Sequence, residues 1–81
     1  MEYDNDKVDD ATLALMYLVA WRQKKDFPWS AWKSFDWDIM SRLHEQGWIS
    51  DPKSKAKSVM LTEEGYCQSQ ELFQKHFGTV D

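Results

Sequence analysis

Two histidines, one cysteine and fourteen acidic residues are what this 81-residue chain has for building a reactive site. His44 stands beside Glu45, yet adjacent helix residues point apart and do not face each other, so the pair reads as a half-buried flank rather than an acid-base couple. Cys67, His44 and His76 would hold zinc only by long-range convergence, since no two of them fall on consecutive turns of one helix. Cys67 reads more simply as a small apolar side chain inside the last helix. The chain has no glycine-rich phosphate loop, no CxxC or HxxxH pair and no Gly-x-Ser-x-Gly elbow. No catalytic residue, metal or cofactor is implied, and enzyme is the weakest of three function classes.

The cations offer a different chemistry. Lys53, Lys55 and Lys57 alternate in one short loop, where all three can approach a phosphate backbone. An exposed hairpin studded with lysine is equally an ordinary solubility device. Arg42 is the one base on the outward face of the helix before that loop; its companions there are Asp38, Ser41 and Glu45, and phosphates repel two of these. Net charge is −4, and residues 1–10 alone account for it; the remainder carries as many bases as acids. A neutral body lowers the expectation of nucleic-acid binding, which is normally a basic surface's task.

The elements that position these groups centre on Asp36 to Gly65. Ile39, Met40 and Leu43 form an apolar helix stripe, with Trp37 and His44 on its flank, and Gly47 follows where a left-handed residue would end the helix, with Trp48 as its hydrophobic cap. Ser50, Asp51 and Pro52 mark a turn, Val59-Met60-Leu61 a short strand, and Thr62 the N-cap of a last helix. Tyr66, Phe73 and Phe77 make that helix's stripe, with Ser69, Leu72 and His76 alongside; Gly78 ends it, and Thr79 to Asp81 are expected to fray. Gly65 lies in its first turn, where a glycine is costly unless another backbone comes close.

Upstream, Asp6 is the expected N-cap of a first helix running to about residue 23, with Arg22, Lys24 and Lys25 at its far end complementing the helix dipole. Val8, Ala11, Leu15, Leu18 and Val19 share one face, taken as the core face. Leu13, Tyr17, Ala20 and Trp21 share another, which a helix with one solvent side would not show. Either the chain folds back over this second face, or two copies pair through it as a symmetric dimer. The segment Lys24 to Phe35 reads as a compact loop, and its Phe27, Trp29, Trp32 and Phe35 either roof the core or form a recognition surface.

Five Trp, four Phe and three Tyr argue against disorder, and the length suits one domain, residues 1–81. The longest apolar run, Leu13 to Trp21, is about half of the ~20 residues a membrane span needs. With one cysteine and no N-terminal secretion signal, a bacterial cytoplasmic setting is expected.

The words AWKSFDWD, LHEQGWISDP, KAKSV and LTEEG resemble the pattern shared by a small bacterial family of unknown function, over most of the chain. That resemblance implies a small soluble winged-helix-like protein and brings no activity, ligand or catalytic residue with it. The expected fold is thus mainly α with a short β-hairpin, a winged helix-turn-helix-like order with helices at 6–23, 36–46 and 62–77 and strands at 49–50 and 57–61. The leading function is a non-enzymatic module that binds another protein, with Leu13, Tyr17, Trp21, Trp29 and Trp32 as candidate interface. A DNA-binding regulator using Arg42, Lys53, Lys55 and Lys57 is the alternative.

Overall fold

Each helix begins where a side-chain oxygen takes up backbone N–H groups that the first turn leaves without partners. In the computed structural model, which describes residues 1–79, helix α1 is Asn5–Val19, capped by the Asp4 carboxylate accepting from the amides of Asp6 and Lys7. Helix α2 is Trp37–Glu45, capped by Asp36, and helix α3 is Glu63–Phe77, capped by Thr62. Strands β1, Ser30–Trp32, and β2, Ser58–Met60, pair antiparallel, so the architecture is mainly α with a small β element. Val80 and part of the expected frayed end lie outside the described residues.

The end of α2 follows its sequence signals closely. Gly47 has φ 82°, its amide bonds the His44 carbonyl at 2.9 Å, and the Trp48 amide reaches back to Leu43 at 3.0 Å. This is the Schellman pattern, which needs a left-handed residue where glycine carries no Cβ penalty. Gly65 also has its close backbone: a Cβ there would run into the carbonyl of Trp48. The Thr62 hydroxyl fastens the same corner, donating to the Gly47 carbonyl at 2.7 Å and accepting from the Gly65 amide at 2.9 Å.

Four expectations are corrected. The first helix starts one cap earlier, at Asp4 instead of Asp6, and ends at Val19 instead of residue 23. Ala20 is extended because Trp21 exchanges two backbone hydrogen bonds with Ser30, at 3.0 and 2.7 Å. Arg22, Lys24 and Lys25 therefore lie beyond the helix, whose last turn holds no base.

The core face of α1 is also reversed. Leu13 is 1% exposed, Ala14 and Met16 are fully enclosed, and Asp9 and Thr12 are buried with them. Leu15, Leu18 and Val19 are exposed instead. Helix α3 takes up the Leu13 and Tyr17 side, the Tyr17 ring lying 5.6 Å from Tyr66 and 5.4 Å from Phe73. Of the two alternatives for this second face, the chain folds back over it, with α3 burying Leu13 and half-burying Tyr17.

The third correction concerns Lys24 to Phe35, which is not all loop. It supplies β1, and the regular ladder pairs Ser30 with Met60, Ala31 with Val59 and Trp32 with Ser58. The expected partner, residues 49–50, is present on the other side of the same chain stretch as one bridge, Ile49 to Leu61, and a 2.8 Å bond from the Ser50 amide to the Met60 carbonyl. Finally, Cys67 is exposed on α3 and contributes nothing to the core.

Strand side chains alternate, so one side of the sheet feeds the core with Ala31, Val59, Leu61 and Ile49. Met40 and Leu43 of α2, Leu13 and Met16 of α1 and Leu72 of α3 meet them there.

Candidate functional site: an aromatic cleft on the outer sheet face

The same alternation decides what stands on the outer side. Trp21 pairs with Ser30, Ser30 with Met60, and the Ser50 to Met60 bond places Ser50 next in line, so four side chains form one row across the sheet. Trp32 and Ser58 make the next row. Trp32 is 53% exposed, and its ring lies 5.0 Å from that of Trp21. Met60 and Phe27 are exposed too. Phe27, Pro28, Asp51, Ser54 and Ala56 join Trp21, Ser30, Ser58 and Met60 in lining a cleft of about 390 Å³. The Ser50 hydroxyl accepts from the Met60 amide at 2.9 Å, which fixes the far end of the Trp21 row. Trp21 Nε1 is buried with no acceptor among the described residues.

Trp29 has a different fate from Trp32, as residues separated by an odd number of positions on a strand should. Its indole stacks on Tyr66 with centroids 5.1 Å apart and planes within 3°, and the Arg22 guanidinium covers its other side at 4.5 Å. Trp29 thus belongs to a ladder running through Tyr66 and Tyr17 to Phe73, which closes the second face of α1. Burial raises the Tyr66 phenol above its ordinary range, with Tyr17 adding to the effect. Of the five residues expected at an interface, Trp21 lines the cleft and Trp32 packs against Trp21 beside it, Leu13 is buried, and Tyr17 and Trp29 are half-buried in the aromatic ladder.

The cationic residues also divide. Arg42 does not face solvent freely: its Nε and Nη2 donate to the two oxygens of buried Asp9 at 2.7 and 2.8 Å. That hydrogen bond pushes the guanidinium pKa up from its already high value. Lys53, Lys55 and Lys57 are exposed and form no ion pair among the described residues. Lys33 ties the loop down, its Nζ donating to the Ser54 carbonyl, and its amide bonding the Lys57 carbonyl at 3.0 Å. His44 Nδ1 lies 3.0 Å from the Ile49 carbonyl, and no group of three or more His, Cys, Asp or Glu among the described residues is placed to hold a metal ion.

Phe27 belongs to the aromatic cluster that sequence offers as a recognition surface, whereas Met60 and Pro28 carry no such signal. Met60 sits in an apolar triplet that reads as core strand, and only the ladder register shows that it points outward.

A family model for a domain of unknown function, DUF6429, matches residues 4–79. The chain belongs to this family. Its relatives include the uncharacterized protein y4hR of Sinorhizobium fredii (strain NBRC 101917 / NGR234), 49% identical over 77 residues that cover 95% of this chain and 97% of that protein. No solved structure matches the chain. No helix among the described residues of this DUF6429 protein is long and apolar enough to cross a membrane.

Proposed function

We propose that this protein is a non-enzymatic, winged-helix-like interaction module, at work in the bacterial cytoplasm, that holds an apolar segment of another protein in the outer cleft of its sheet. The observation that carries this reading is the outward row of Trp21 and Met60 with exposed Trp32 beside it, in a cleft that Phe27 and Pro28 also line. A small domain normally turns its large apolar side chains inward, and a cluster of aromatics and Met left around a concavity is the composition of interface cores. The volume is in the range that accommodates a few side chains. Serine hydroxyls in the lining offer hydrogen-bonding groups to an extended backbone, and the Asp51 carboxylate adds one charge at the edge. Against an enzyme reading stand the separate positions of His44 and Cys67 on α2 and α3.

The nucleic-acid alternative keeps one specific support, the three exposed lysines of the 53–57 loop, which form no ion pair among the described residues, and loses Arg42 to Asp9. One pair of titrations separates the two. Peptides selected from a random display library are followed by tryptophan fluorescence, and duplex DNA is followed by gel shift at low salt. The cleft reading predicts peptide binding weakened at least tenfold by Trp32→Ala or Met60→Ser and little changed by replacing Lys53, Lys55 and Lys57 with Ala. DNA binding that falls with salt and with the triple lysine substitution, alongside no peptide binding, overturns it.

A further inference from the structure

The outward face of α1 carries a seam of its own. Val8, Ala11, Leu15 and Leu18 follow the 3-4-3 spacing of two heptads, with Val19 beside them. They lie opposite Asp9, Leu13 and Met16, which the fold buries. Leu15, Leu18 and Val19 are 40%, 61% and 48% exposed, and Val8 and Ala11 are half-buried. Helices α2 and α3 both pack on α1, and Leu15, Leu18 and Val19 remain exposed when they do.

We propose that this seam packs against the same seam of a second copy, the two α1 helices running antiparallel about a twofold axis. Charge decides the direction. The ten N-terminal residues hold the whole net charge of −4, and Arg22, Lys24 and Lys25 follow the other end of the helix. Antiparallel pairing sets acidic end beside basic end twice over, whereas parallel pairing sets acids on acids.

The seam is also self-complementary about Leu13: small Ala11 meets large Leu15 of the second copy, and Val8 meets Leu18. One register therefore satisfies both packing and charge. A seam spanning Val8 to Leu18 is about 15 Å long, and it buries less than the roughly 800 Å² per partner of a standard interface. The dimer is accordingly weak, half-formed on the order of 100 µM.

Sedimentation equilibrium from low to high micromolar protein tests this. The mean mass rises toward two chains with concentration, less so at high salt; Leu18→Glu holds it at one chain while Trp32→Ala leaves the rise intact. If Leu18→Glu loses its helical circular dichroism, Leu18→Ser in the same assay answers the question. Chains bearing Val8→Cys and Leu18→Cys, each with Cys67→Ser, oxidise when mixed to the Val8–Leu18 mixed disulfide. A one-chain mass throughout, association that survives Leu18→Glu, association lost in Trp32→Ala, or like-with-like disulfides each overturn the proposal.

Discussion

The Arg42 guanidinium grips the Asp9 carboxylate with both oxygens engaged, joining α2 to α1 across 33 residues of sequence. Asp9 is 2% exposed, and the guanidinium reaches water on its other side. A buried carboxylate stripped of its partner is worse than a half-exposed cation stripped of its own, because only the cation can be rehydrated in place. Arg42→Met is therefore expected to lower the urea midpoint more than Asp9→Asn does. Equal midpoints, or the reverse order, would show that the pair does not set the roll of α1 against α2.

Two glycines are expected to respond very differently to the same substitution. Gly65→Ala drives a methyl group into the Trp48 carbonyl, a backbone atom held by the Thr62 amide, and should cost roughly 3 kcal/mol or more. Gly47→Ala meets no atom and strains only the positive φ, at about 1–2 kcal/mol. Chemical denaturation of both variants checks the order.

The Tyr66 phenol gives the fold an alkaline limit. Its pKa is raised by burial, so the neutral form is favoured in the folded chain. The associated stability is fully present below the ordinary phenol value of about 10 and is lost as pH rises through the higher folded value. Tyr66→Phe should flatten the fall in stability above pH 10. Thermal unfolding followed across that range in both chains measures it.

Local signals were legible in the residues and long-range ones were not. Gly47 with Trp48 and Thr62 as a cap depend on neighbours within a few positions, and each is found where sequence places it; at Gly65 the glycine itself signals a close approach, but its partner, the Trp48 carbonyl, comes from far back along the chain. The roll of α1 was not legible, because both of its faces are apolar and the choice lies with α3 and with Arg42, far along the chain. Strand β1 hid among aromatics: three residues between a Pro-Trp pair and Lys33 show no periodicity, and their strand character comes from the ladder with β2. Trp21 is a candidate through a helical stripe that the chain in fact leaves at Ala20, and Trp32 as one of four clustered aromatics. Their separation from Trp29 required the register.

The cleft carries the functional account, and the five indole N–H resonances of Trp21, Trp29, Trp32, Trp37 and Trp48 report on it from inside and outside at once. In a heteronuclear NMR titration with a display-selected peptide, the Trp21 and Trp32 resonances are expected to shift, together with the amides of Ser30, Ser58 and Met60. Trp37, exposed on α2, and Trp48, bonded to the Gln46 side chain at 2.9 Å, should stay in place. Shifts confined to Lys53, Lys55, Lys57 or to the outer face of α1, with Trp21 and Trp32 unmoved, would contradict it.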